Sequence, residues 1–360
     1  MSTPVIAFFN NTSGVGKTTL VYHLSWMYAD LGLRVVAADL DPQAGLTATF
    51  LDEEYLNNLW LNDDHSNTIY GAINSRLVGF GYPVIPHLED VGKQQFSLIE
   101  SPLALLAGDL SLSLLEDQLA NLWSQCLNNV EQAYYGTTAI EETIQGAATM
   151  HKADIVLMDL GSNLSAINRA ALIAADYIVT PLSLDLLSLQ GLYSLGPTLN
   201  NWRQEWRKRL TIWKKLQNAK TLPAKSLHVR EKSRNRKTLP AGNMLSIGYV
   251  LLQHAVRLDR PIQEYERWLI RIPREYHQLV LGEEFTHDVV PITDDSYCLA
   301  LLKKYYNLMA LAREARKPMF SLKPADGALG SHMQAALGAY TDFQQLATKI
   351  AERVNLPFPK

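Results

Sequence analysis

The chain has 360 residues, 47% of them hydrophobic and 19% charged, a balance that suits a soluble globular protein with a large core. A formal net charge of −3 gives no global preference for nucleic acid. Two cysteines, Cys126 and Cys298, exclude a disulfide framework and a cysteine-rich metal site, and no basic leader or apolar run of about 20 residues stands out, so a cytoplasmic protein with no membrane partner is expected.

In chain order, residues 5–9 form a short apolar run bounded by Pro4 and by the polar Asn10-Asn11-Thr12-Ser13, and predict a buried strand. A glycine-containing turn follows, then helical spacing over 19–31 with Gly32 as its stop. Residues 34–38 predict the next strand, closing on Asp39 and Asp41, and the three pieces make a βαβ unit. Further strands are predicted over 96–100, 155–158, 177–181 and 246–252. Helices are predicted over 119–134, 139–150, 186–195, 299–316 and 339–354, and the tyrosines of 297–306 read as the packed face of a helix.

Gly14-Val15-Gly16-Lys17-Thr18-Thr19 lies between a strand and a helix, the context a phosphate-binding loop requires. Glycines let the backbone approach phosphate oxygens, and successive amides from Ser13 to Thr19 with the helix N-terminus hold the anion. Lys17 would reach the β- and γ-phosphates and Thr18 would offer its hydroxyl to Mg²⁺, so ATP and Mg²⁺ are the expected cofactors. The usual motif is G-x-x-x-x-G-K-[ST]. Asn11 stands at its first glycine, and asparagine tolerates left-handed backbone better than most residues.

Asp39 and Asp41 sit at the carboxyl end of the second predicted strand, the edge of an open α/β sheet where ligands bind. Asp159 closes the apolar run that starts at Asp154, which is the layout of an acid delivered to the metal side of a nucleotide. The histidines lack metal-ligand spacing, and no Gly-x-Ser-x-Gly elbow has strand-turn-helix support.

The phosphate loop, Asp39–Gln43 with Leu46-Thr47, Asp154–Asp159, Ala175–Pro181 and Leu189-Gln190-Gly191-Leu192 together resemble the ParA/MinD superfamily of P-loop ATPases. Leu98–Ser101 and Leu106–Asp109 extend the likeness, which covers most of the chain except about 202–243. The resemblance implies a homodimer in the ATP state, nonspecific DNA binding in that state, and a ParB-like or adaptor protein that stimulates hydrolysis, with nucleoid association as the cycle positions a cargo. It also implies the roles: Lys17 and Thr18 on phosphate and metal, Asp41 positioning the attacking water, Asp159 supporting the metal, and Asp39 lining the metal side. Two departures stand out. Thr12 occupies the place of the family's signature lysine, which reaches across the dimer, as in the carboxysome-positioning branch that also lacks it. Leu160-Gly161-Ser162 follows Asp159 where relatives often carry prolines.

From Arg203 to Lys237 the chain carries thirteen basic residues against Glu205 and Glu231, a local charge of +11. Arg203, Arg207, Lys208, Arg209, Lys214, Lys215, Arg230, Lys232, Arg234, Arg236 and Lys237 are the candidate DNA contacts. Trp202, Trp206 and Trp213 interleave with the first half. The alternatives are an acidic protein partner or a solvated helix face that the tryptophans anchor to the core. The expected architecture is α/β: a doubly wound, mostly parallel sheet flanked by helices, as one ParA-like domain over 1–360 with a basic insertion at 202–243. The rival functions are an ATP-bound scaffold with weak hydrolysis and a metabolic P-loop ATPase acting on a small molecule.

Overall fold

The computed structural model describes residues 3–61, 65–78, 85–92, 101–219, 238–254, 256–257, 260–261, 263–284 and 292–358. Strand β1 (Val5–Phe8) runs into the phosphate loop and helix α1 (Lys17–Asp30), which returns to β2 (Val35–Leu40) and the short helix α2 (Gly45–Phe50). After β3 (Glu89–Asp90) and β4 (Leu103–Leu106), the sheet continues with β5 (Ile155–Leu160), β6 (Tyr177–Ser183) and β7 (Leu245–His254). A separate two-stranded ribbon pairs β8 (Val256–Arg257) with β9 (Arg260–Pro261), and β10 (Cys298–Lys303) closes the far edge of the sheet.

The strand order is β10-β7-β6-β1-β5-β2-β4-β3, and every pairing is parallel except β3 on β4. Both faces of the sheet are covered, which is why the strands read as unbroken apolar runs. Val5 and Ala7 of β1 face one core, with Phe9 just beyond the strand, together with Ile144, Ile167 and Leu189 from three helices. Ile6 and Phe8 face the other, with Leu20 and Leu24 of α1 and Phe343 of the helix Ser331–Arg353.

The strands predicted at 5–9, 34–38, 155–158, 177–181 and 246–252 all belong to this sheet. The strand predicted at 96–100 lies outside the described residues. Two readings need correction. Residues 299–303 are part of an edge strand parallel to β7, and the helix starts only at Tyr306; an apolar run this short carries no period that separates strand from helix. The helix expected over 119–134 is instead Glu116–Gln125, a 3-10 turn Cys126–Asn128 and a second helix Glu131–Thr137, because Asn129 adopts φ 60° and breaks the run. The helix that begins at Leu186 continues through Pro197 to Ala219, so the first part of the segment read as an insertion is the outer half of a helix that crosses from β6.

Candidate nucleotide site

The site forms where β1, β2 and β5 end side by side. Across the β2–β5 ladder Asp39 lies directly opposite Asp159, and on the other side of β5 Phe8 pairs with Asp159. Parallel register therefore delivers two acids and the start of the phosphate loop to one edge of the sheet. The loop turns on Gly14 (φ 74°) and Gly16 (φ 84°), conformations that side chains with a Cβ rarely adopt. Gly16 caps α1 without a side-chain hydrogen bond, and no acid sits in the first turn, so the helix presents open amides and its positive end to an anion.

Asn11 does not take the left-handed backbone its position suggested; it is absent from the positive-φ residues. Its side chain instead donates to Ser194 Oγ at 2.7 Å, fastening the loop to the long helix Leu186–Ala219. Asn10 donates to the carbonyl of Pro181 at 2.7 Å and accepts from the amide of Thr12 at 3.0 Å. Gly191 of the long helix lies so close to Thr12 that a Cβ there would stand 2.6 Å from its Oγ1.

Lys17 is 5% exposed and donates to the Thr12 carbonyl at 3.2 Å and to Ser162 Oγ at 2.5 Å. Burial pulls its ammonium below the ordinary lysine range, while Asp159 and Asp41 act in the opposite direction. Thr18 donates from Oγ1 to Asp159 Oδ2 at 2.6 Å. Asp159 is fully buried, its other oxygen has no hydrogen-bond partner, and burial followed by the charge of Asp39 raises its carboxyl well above the usual range. An orphaned carboxylate oxygen beside a threonine hydroxyl is a donor set that fits a hard divalent cation. Among the described residues no group of three or more His, Cys, Asp or Glu is placed to hold a metal by itself, so phosphate and water oxygens would complete the shell, as suits Mg²⁺.

Asp39, expected to line the metal side, stands opposite Asp159 with its oxygens engaged by the protein. Its oxygens accept from Thr47 N at 2.8 Å, Thr47 Oγ1 at 2.7 Å and Asp41 N at 3.2 Å. Burial lifts its carboxyl to about 6 against those hydrogen bonds. It braces the turn after β2 and, through Thr47, the amide of Gly108. Asp41 sits in that turn, half-buried, and accepts from Gln43 N at 3.0 Å. Ser162, Thr47 and Asn10 were not singled out as site residues; their contacts join segments far apart in sequence, and only the fold brings them together.

The basic helix is the second candidate region, and the structure divides its cations. Trp202, Trp206 and Trp213 are buried, and Trp206 stacks on Trp123 with ring centres 5.8 Å apart. Arg209, expected to contact DNA, is 3% exposed: it donates to the carbonyls of Trp123 and Glu205 and lies 3.8 Å over the Trp123 ring. Arg203, likewise expected there, donates to the carbonyls of Asn243 and Met244. Arg209 is structural because its position repeats the tryptophan face of the helix; Arg203, half-buried at the edge of that face, ties the helix to the segment that leads into β7. Arg207, Lys208, Lys214 and Lys215 are exposed, and helical geometry gathers them within about a third of a turn on the opposite side. Arg230, Lys232, Arg234, Arg236 and Lys237 lie outside the described residues.

A strand, a phosphate loop opening a helix, and a neighbouring strand that delivers an acid to the loop's threonine define a P-loop nucleoside triphosphatase. The chain belongs to the AAA domain family, which matches residues 3–212, and within it to the ParA/MinD type. It is 30% identical over 196 residues to the Escherichia coli protein IncC, covering 54% of this chain and 45% of IncC. It is 26% identical over 208 residues to the chromosome-partitioning ATPase Soj of Thermus thermophilus, covering 58% and 66%. The chain thus spans less than half the length of the IncC protein it matches. Among solved structures, a Corynebacterium diphtheriae protein superposes with a TM-score of 0.66 at 20% identity over 98% of both chains. The ATP complex of Cyanothece McdA gives 0.58 at 14% identity over 100% of both. These low identities establish a shared fold. No helix among the described residues is long and apolar enough to cross a membrane.

Proposed function

We propose that this chain binds Mg-ATP between Lys17 and Asp159 and uses its nucleotide state to switch a homodimer on and off nonspecific DNA, partitioning or positioning a cargo. The observation that carries the reading is the 2.6 Å contact from Thr18 to Asp159 beside the buried Lys17, at the end of α1 that carries its open amides. Thr18 and Asp159 would hold Mg²⁺, which when bound supplies positive charge to the phosphate oxygens. Lys17 neutralises and orients the terminal phosphates. Asp41, at the mouth of the site, is the group suited to orient an attacking water and accept its proton. The four exposed cations of the helix Leu186–Ala219 supply sequence-independent phosphate contacts, doubled in a dimer. An adaptor of ParB type is the expected activator. The names of Soj and of a Borrelia burgdorferi plasmid partition protein solved with AMPPNP, at TM-score 0.53 and 12% identity over 97% of this chain and 99% of that one, support the partition reading by likeness.

The test is retention on nonspecific duplex DNA with Mg-ATP, Mg-ADP or no nucleotide, across a salt series. Retention that requires ATP and weakens steeply with salt is expected. Equal retention, or none, in all three states would overturn the DNA switch. A second reading, an ATP-bound scaffold with weak hydrolysis, is favoured by one observation: Thr12 offers no charge to a partner's phosphates and packs against Gly191. Hydrolysis that stays slow with DNA and with an adaptor of ParB type would select that reading.

A further inference from the structure

The loop that follows β5 brings a hydroxyl onto the phosphate-loop lysine. Ser162 Oγ lies 2.5 Å from Lys17 Nζ, across 145 residues of sequence. The ammonium has three protons. One goes to the Thr12 carbonyl and one to Ser162, which leaves a third for phosphate. The loop is held firmly. Asn168, 1% exposed, donates from Nδ2 to the carbonyls of Gly161 at 2.9 Å and Asn163 at 2.7 Å, so one amide clamps the residues on either side of Ser162. Just before it, a Cβ on Gly161 would stand 3.4 Å from Asp41 Oδ1. Ser162 therefore sits at the tip of the lysine, in a loop whose preceding residue lies beside the carboxylate suited to orient water. That is the end of the lysine where a terminal phosphate sits when the amides of the loop hold the inner ones.

We infer that Ser162 is a specificity-determining residue of this site that reads the γ-phosphate. A serine hydroxyl carries one donor and two acceptor positions. It accepts from Lys17 and turns its own proton to a γ-phosphate oxygen, a bond that ADP cannot make. Asn168 is a positioning residue that fixes the loop so the hydroxyl need not be ordered on binding. The inference rests on the nucleotide-binding reading of the same site and adds to it a group that separates triphosphate from diphosphate.

The experiment is calorimetric titration of the full chain with Mg-AMPPNP and, separately, with Mg-ADP, for the parent and for Ser162→Ala, Ser162→Thr and Asn168→Ala. Loss of one hydrogen bond to a charged group predicts about a tenfold weaker triphosphate affinity for Ser162→Ala and a change of less than about twofold for ADP. Ser162→Thr, which keeps the hydroxyl, restores the preference, and Asn168→Ala lowers it in part. ADP binding doubles as the control for folding. A Ser162→Ala protein that loses both nucleotides equally, or neither, overturns the assignment of Ser162 while leaving the nucleotide site intact. A parent that takes up neither nucleotide overturns the underlying reading and this one with it.

Discussion

At the carboxyl ends of β1, β2 and β5, Lys17, Asp39 and Asp159 are buried together, with Asp41 at their rim. Along the outer half of the helix Leu186–Ala219, Arg209 is buried just as deeply. The difference lies in what surrounds the charges. Arg209 is closed: two carbonyls, the Glu205 carboxylate at 3.7 Å and the Trp123 ring take up the guanidinium. Asp159 is open: one oxygen is satisfied by Thr18 and the other by nothing. A buried charge with a complete set of partners is part of the architecture. One that lacks a partner, at a helix N-terminus that also lacks one, marks the place where a ligand belongs.

The strongest way to break this comparison is to empty the closed region. Trp206 is fully buried, stacks on Trp123 and donates to the carbonyl of Pro240 at 3.0 Å. Trp206→Ala should cost about 3–5 kcal/mol, read from the urea midpoint at unchanged m-value. A cost below about 1 kcal/mol would mean that the tryptophans do not anchor the helix and that its cations need another explanation.

Next in size is a pH effect on α1. His23 is fully buried one turn beyond Thr19; Nδ1 donates to the Thr19 carbonyl at 2.8 Å and Nε2 accepts from the amide of Met319 at 3.2 Å. Only the neutral ring satisfies both bonds, and burial lowers its pKa to about 4. The unfolded chain therefore binds this proton more readily between the ordinary value near 6.5 and about 4, so stability is full above that window and falls as the pH drops through it. The loss should approach about 3 kcal/mol at the acid end. Urea unfolding at pH 7 and pH 4.5 should show the parent losing more than His23→Gln. Equal losses would show that His23 is not the group responsible.

How much of this was legible in the sequence follows from the same distinction. The strands buried on both faces, β1, β2, β5, β6 and β7, show as apolar runs because nothing in their surroundings asks for alternation. The edge strand β10 was hidden, since Cys298-Leu299-Ala300-Leu301-Leu302 fits either element and, among the described residues, pairs with β7 alone. Lys17, Thr18, Asp41 and Asp159 were legible because the loop and the strand-end acids are local patterns. Ser162 on Lys17, Thr47 on Asp39 and Gly191 against Thr12 were not, because each joins segments that only the sheet order brings together. The closed role of Arg209 did have a signal: residues 202, 206, 209 and 213 share one helical face, and three of them are tryptophan.

The open region answers to a smaller energy. Lys17→Ala removes a buried charge that would contact two phosphates, and should weaken Mg-ATP by about 30- to 100-fold, or roughly 2–3 kcal/mol. Calorimetry with ATP checks this. Unfolding without nucleotide should give a midpoint near the parent's, since the ammonium's desolvation already opposes its two hydrogen bonds. A variant that binds ATP as the parent does would remove the phosphate loop from the account.

The smallest effect on stability is expected where the comparison is sharpest, on the exposed side of the basic helix. Arg207, Lys208, Lys214 and Lys215 stand on solvent, and replacing all four by glutamine should shift stability by less than about 0.5 kcal/mol each. On the proposed DNA contact the same change should act on a different scale. Each phosphate contact contributes about 0.9 to the slope of log affinity against log salt, so the fourfold variant should lose about 3 to 4 from that slope per subunit. Arg209→Gln should do the reverse, lowering the urea midpoint and leaving the slope alone, because its guanidinium never reaches solvent. An unchanged slope in the fourfold variant would assign DNA contact to some other surface. A reduced slope in Arg209→Gln would mean that the helix turns on binding and that its closed face opens.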